Sequence, residues 1–159
     1  MIKEKFPPPS IWLSINDCRR SYEELVRELN GQSFSKWEAR FEGRLESIVE
    51  SVRQEVYGQY LYPTVETAAA AYFVLLIKSH PFKDGNKRSA VLFTLQFLGL
   101  NGLTLGLTFK ELYSLAIMVA SEKELTFDEL KLGVTEVIST NIKKQQFDIR
   151  ELLASLIKW

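Results

Sequence analysis

Between Ser79 and Ala90 the chain reads Ser-His-Pro-Phe-Lys-Asp-Gly-Asn-Lys-Arg-Ser-Ala, a set of residue types suited to phosphate chemistry. His80 supplies an imidazole, which can take up a proton near neutral pH, and Asp84 a carboxylate of the kind that ligates a hard cation. Gly85 lets the backbone approach a ligand, while Asn86, Lys87 and Arg88 add an amide and two cations. Pro81 disfavours the right-handed helical conformation at His80, so an apolar helix should end there with His80 at its mouth. Asp84 is placed to cap the next helix, whose first-turn N–H groups would point outward and attract an anion. Lys87 and Arg88 fall in that first turn, where cations oppose the helix dipole, so a bound polyanion explains them better than stability does. Each residue also has a plainer reading: His80 as a helix-terminal cap, Asp84 and Asn86 as capping groups, Lys87 and Arg88 as solvated charges. The coincidence of all of them in one short stretch favours the site. Phe82, apolar between polar neighbours, reads as a loop anchor buried in the core with no chemical role.

Two apolar helices must hold these groups. One runs from Thr64, its cap, to Ser79, with Ala68 to Ala71 followed by Tyr72, Phe73, Val74, Leu75, Leu76 and Ile77, apolar nearly all round. The other runs from Gly85 to Leu100 through Val91, Leu92, Phe93, Leu95, Phe97 and Leu98 and stops at Asn101-Gly102. They are expected to form an antiparallel core hairpin with the active turn between them. Upstream, Asn16 or Asp17 can cap a helix with Tyr22, Leu25, Val26 and Leu29 at helical spacing until Gly31. Ser35 opens a longer helix in which Phe41, Leu45, Ile48, Val49, Val52 and Val56 recur until Gly58, with Trp37 as a packing residue. Downstream, Thr108-x-x-Glu111 and Thr126-x-x-Glu129 are capping-box signatures of two more amphipathic helices. A last helix near Phe147 to Trp159 carries Ile149, Leu152, Leu153, Leu156 and Ile157 on one stripe, facing the core or, in the other reading, a partner or second copy. Lys143 and Lys144 read as surface charges. The fold class is all-α, with a Pro-rich lead or linker at residues 1–10, extended and poorly packed, and one domain over 11–159.

Composition narrows the class. With 159 residues, 20 basic against 20 acidic side chains and 46% hydrophobic content, the chain can bury a real core and has no excess charge for general nucleic-acid binding. Lys78 and His80 close the most apolar segment before it could span a bilayer, and no secretory signal pattern is present. Cys18 has no partner for an internal disulfide, and no Cys/His cluster offers a zinc site. A cytoplasmic protein, with neither membrane nor direct nucleic-acid contact, is the expectation.

The motif resembles that of the Fic/Doc (Fido) proteins, within them the death-on-curing, Doc-like branch. The family pattern His-x-Phe-x-Asp/Glu-Gly/Ala-Asn-Gly/Lys-Arg is met in order by His80, Phe82, Asp84, Gly85, Asn86, Lys87 and Arg88. Gly43-Arg44-Leu45-Glu46-Ser47, Leu61-Tyr62-Pro63-Thr64 and Asn101-Gly102 are similar to Doc as well, so the resemblance covers about residues 40–105. It implies a Fido helical bundle with a small hairpin-like flap before the pre-motif helix, where Tyr60, Leu61 and Tyr62 would pair backbone to backbone with a target segment. The other reading of those tyrosines is a plain interhelical loop packed on the core. The resemblance further implies His80 as catalytic base, Gly85, Asn86, Lys87 and Arg88 on the nucleotide phosphates, Asp84 on magnesium, and ATP as donor.

The branch depends on two positions. The AMP-transferring branch usually has glycine where this chain has Lys87 and a second arginine where it has Val91. Doc-like members with the lysine bind ATP reversed and transfer the γ-phosphate, and their known substrate is elongation factor Tu. The resemblance thus implies a kinase-type toxin acting on a Ser, Thr or Tyr hydroxyl, with a paired antitoxin. AMP transfer is the alternative, and a non-catalytic adaptor binding an anion or a partner helix is the reading from another class. Ser51 to Glu55 has the spacing of the family's inhibitory helix, but Val56 follows it and Val91 replaces the arginine it would engage, so self-inhibition by that route is not expected. A homo-oligomer is left open.

Overall fold

The computed structural model describes residues 6–28 and 36–145. Its centre is the pair α3 (Val65–Lys78) and α4 (Asn86–Leu100), which pack on each other across the turn that joins them. Their composition requires this: Ala68 to Val74 and Ser89 to Leu98 are all buried, and helices apolar on every side are stable only inside a shell of others. That shell is α1 (Ile15–Glu28), α2 (Ala39–Val52), α5 (Phe109–Ser121) and α6 (Phe127–Asn141), so the described residues form six helices. The caps at Thr64, Thr108 and Thr126 are reciprocal, each hydroxyl accepting from the third helical N–H while that residue's side chain accepts from the cap N–H. No helix among the described residues is long and apolar enough to cross a membrane.

Three local features differ from the sequence expectation. Helix α1 is capped by Ser14 rather than by Asn16 or Asp17: Ser14 Oγ accepts from Asp17 N at 3.1 Å, and Asp17 Oδ2 accepts from Ser14 N at 3.2 Å. Asp17 thus completes a capping box from inside the helix. Helix α2 stops at Val52, and Glu55–Val56 (β1) pairs with Gln59–Tyr60 (β2) as an antiparallel hairpin. Its two loop residues both have positive φ, 51° at Tyr57 and 77° at Gly58, the conformation that joins two strands most tightly. Val56, expected on the buried face of α2, is therefore exposed. Finally, Leu103–Leu105 (β3) pairs with Ile142–Lys144 (β4) in the register Leu103↔Lys144 and Leu105↔Ile142. Lys143 and Lys144 are exposed as surface charges, but their backbone belongs to this ribbon.

The described end of the Pro-rich lead does not float. Pro9 is buried and Phe6 packs against the core. The Asn101 side chain clips the segment down: Oδ1 accepts from Ser10 N at 2.9 Å and from Ile11 N at 3.3 Å, and Nδ2 donates to Ile11 O at 2.8 Å. Trp12 follows, its ring 4.9 Å from Tyr60 of β2 and 5.9 Å from Phe97 of α4. Poor packing was expected from the extended conformation that Pro7, Pro8 and Pro9 favour; Asn101 provides both the acceptor and the donor that the neighbouring backbone needs. Asn101→Ala is expected to lower unfolding free energy by about 1–3 kcal/mol and to speed amide exchange at Ser10 and Ile11, which urea titration and hydrogen-exchange mass spectrometry would measure. The expected last helix, near Phe147 to Trp159, lies outside the described residues, as do Leu29, Gly31 and Ser35.

Candidate active site

The motif turn is held from beneath by aromatic packing. Phe82 is 4% exposed and lies 4.6 Å from Tyr22, in a stacked arrangement, 4.9 Å from Phe41 and 5.7 Å from Trp37. Trp37 is thus a packing residue, and its Nε1 donates to Glu42 Oε1. From within, the Asn86 side chain grips the same residue's backbone, Oδ1 accepting from Phe82 N and Nδ2 donating to Phe82 O, both at 2.9 Å. The Asn86 side chain therefore fixes the turn. Its Nδ2 also lies 3.5 Å from His80 Nδ1.

His80 is exposed and follows the end of α3 at φ 45°. Pro81 does keep it out of the right-handed helical region, but the backbone turns left-handed instead of extended. A non-glycine residue held there stores about 1–3 kcal/mol and persists only if its surroundings over-determine it. Those surroundings are the buried Pro81 and Phe82, the Asn86 grip and Arg44 of α2, whose Nη1 donates to the His80 carbonyl at 3.3 Å.

The cap of α4 sits one residue later than expected. Gly85, not Asp84, is the cap residue, at φ 76° and with no side chain capping the helix. Asp84 Oδ1 instead accepts from Gly85 N at 2.8 Å. The left-handed turn, accessible to glycine at no steric cost, leaves the carboxylate outside the helix. The Gly85 N–H is thereby engaged, whereas the amides of Asn86 and Lys87 begin a helix with no intrahelical acceptor for them.

Asp84, Gly85, Asn86, Lys87 and Arg88 line a cleft of about 230 Å³ together with Tyr113 of α5, whose ring centroid is 6.0 Å from the Arg88 guanidinium carbon. His80 lines a different cleft, of about 390 Å³, with Phe41, Arg44, Pro81, Phe82 and Lys83. The Asn86 side chain links the two. Another cleft, of about 740 Å³, is bordered by Trp12, Tyr60 and the end of α2, and none of its described lining residues belongs to the motif. Tyr113 and Arg44 were not foreseen as site residues, since each reaches the motif only through tertiary packing.

The flap exists as the β1–β2 hairpin, and its three expected contact residues are placed differently. Leu61 is exposed, but its N–H donates to Gln54 O at 2.8 Å within the hairpin. Tyr62 is buried, with Lys131 Nζ 4.9 Å from its ring centroid; burial, then the Asp128 carboxylate, raise its hydroxyl pKa. Tyr60 lies opposite Glu55, and because Leu61 pairs inward, the alternation of an antiparallel ladder turns the Tyr60 backbone outward.

A family model described as "Fic/DOC family" matches residues 12–98, more than half of the chain. The chain belongs to the Fic/DOC family. The matched stretch includes both the flap and the whole motif turn. A curated relative, Toxin Doc of Mycolicibacterium smegmatis (strain ATCC 700084 / mc(2)155), is 37% identical over 67 residues, which are 42% of this chain and 52% of the relative. The chain thus spans about half the length of the curated relative it matches. No solved structure matches. In this Fic/DOC chain the motif cleft contains one carboxylate, and among the described residues no group of three or more His, Cys, Asp and Glu could hold a metal alone. A single carboxylate suits a magnesium ion whose remaining ligands are phosphate oxygens and water.

Proposed function

We propose that this protein transfers the γ-phosphate of ATP to a Ser, Thr or Tyr hydroxyl of another protein. The observation that carries this reading is the uncapped start of α4: the Asn86 and Lys87 amides have no intrahelical acceptor, both residues line a cleft together with Arg88, and Asn86 ties that cleft to His80. Helix-terminal amides and two cations would seat the nucleotide phosphates and offset their charge. Asp84 would hold magnesium, which when bound offsets the charge on the phosphate oxygens. His80, exposed at the edge of the second cleft, would receive the proton of the acceptor hydroxyl as its oxygen bonds to phosphorus and the bond to the bridging oxygen of ADP breaks. The outward backbone of Tyr60 would hold the acceptor segment by strand addition.

Phosphate rather than AMP transfer is supported by Lys87, where the AMP-transferring branch usually has glycine, and by Val91. The latter is 2% exposed and faces the core, so no second basic group stands at that position. The likeness to a protein named Toxin Doc supports a toxin role, and on the Doc resemblance the acceptor is a translation factor such as elongation factor Tu and the regulatory partner a protein antitoxin. ATP labelled separately at the α and γ positions, incubated with the protein in a cell lysate, tests the chemistry: γ label alone is expected on protein. Protein-bound α label would assign AMP transfer instead, and an absence of both labels would leave the non-catalytic adaptor.

A further inference from the structure

We infer that the cleft beside His80 selects acceptors with an acidic side chain close to the modified hydroxyl. This rests on the transferase reading and adds a substrate preference to it. The cleft's two charged side chains are cationic, Arg44 from α2 and Lys83 from the motif turn, and none of its described lining residues is acidic. Both are exposed, and neither forms an ion pair among the described residues. Some surface cations are balanced in place, Arg19 by Glu23 and Glu42 and Arg53 by Glu50, whereas the two at this cleft stand together beside His80. Among the described residues Arg44 donates to the His80 carbonyl, at 3.3 Å, and meets no carboxylate, so its cationic charge stands beside the residue that would meet the acceptor. The nucleotide phosphates already have a cationic cleft of their own on the other side of Asn86, lined by Lys87 and Arg88. Two cations with no ion pair among the described residues, placed around the proton-accepting residue, therefore complement a negatively charged acceptor, and they repel a basic one.

The test uses the 159-residue chain and peptides with a single Ser, Thr or Tyr flanked within four residues by Asp, Ala or Lys. Each is incubated with γ-labelled and with α-labelled ATP, and a lysate is labelled in parallel. Label is expected to be roughly tenfold greater on Asp-flanked than on Lys-flanked peptides, the combined effect of one or two solvent-screened charge pairs that attract in the first case and repel in the second. Lys83→Glu should reverse the preference and Lys83→Ala reduce it several-fold, with the affinity for MgATP, measured by titration calorimetry, unchanged in both. Lys83 is an exposed turn residue, and reading the ratio between peptides removes any general loss of rate. Equal labelling of the three peptide classes, or label on lysate protein with none on any peptide, overturns the acidic preference and leaves transfer standing. Weakened MgATP binding by Lys83→Glu assigns this cleft to the donor and also overturns it. No label anywhere removes the transferase reading and the preference together.

Discussion

His80→Ala is expected to reduce label transfer to protein by about 10²- to 10⁴-fold while leaving stability and nucleotide affinity nearly unchanged. The separation of effects follows from the packing. The imidazole is exposed, with a polar contact to Asn86 at 3.5 Å, so its removal opens no buried cavity. The interaction with Arg44 uses the His80 carbonyl, which alanine retains. The phosphate cleft is lined by other residues. Single-turnover labelling, thermal unfolding and MgATP titration on the same preparations would check all three expectations. A variant retaining a tenth or more of the wild-type rate would show that the proton leaves by another route.

The largest stability effect is expected at Phe82. Phe82→Ala should cost about 3–5 kcal/mol, the range for removing a large aromatic side chain from a packed core. The cost falls in the upper part of that range if the neighbouring rings cannot close the void, and Tyr22 is held by α1 while Trp37 and Phe41 are held at the start of α2. Phe82→Leu should recover more than half. Urea-induced unfolding would supply both values, and a loss under about 1 kcal/mol would mean that the Asn86 side chain holds the turn unaided. Labelling by the alanine variant should fall below its folded fraction, since the same ring supports the backbone at His80.

The helices that bury most and the three threonine caps are legible from composition and local spacing, because a run such as Tyr72 to Ile77 has no polar side to expose and a capping box operates within one turn. Phe82 is legible for the same reason, as an apolar residue among polar ones. What local reasoning misplaces is decided by backbone conformation or by distant pairing. Asp84 and Gly85 are both acceptable caps by type, and only the left-handed turn at Gly85 distinguishes them. Val56 continues the apolar spacing of α2, but the Tyr57-Gly58 turn reverses the chain. The β3–β4 ribbon joins residues too far apart in sequence for any window to relate, and Arg44 and Tyr113 reach the motif by the same kind of long-range approach.

The Trp12 indole lies against both Tyr60 and Phe97, just after the segment clipped by Asn101. The outermost backbone of the flap thus rests on a bracket belonging to the start of the chain, not on its own hairpin alone. Tension applied ahead of Trp12, by a fused tag or a tethered neighbour, passes through that indole to the edge proposed to grasp the acceptor, so the amino-terminal strap and the flap share one mechanical mount.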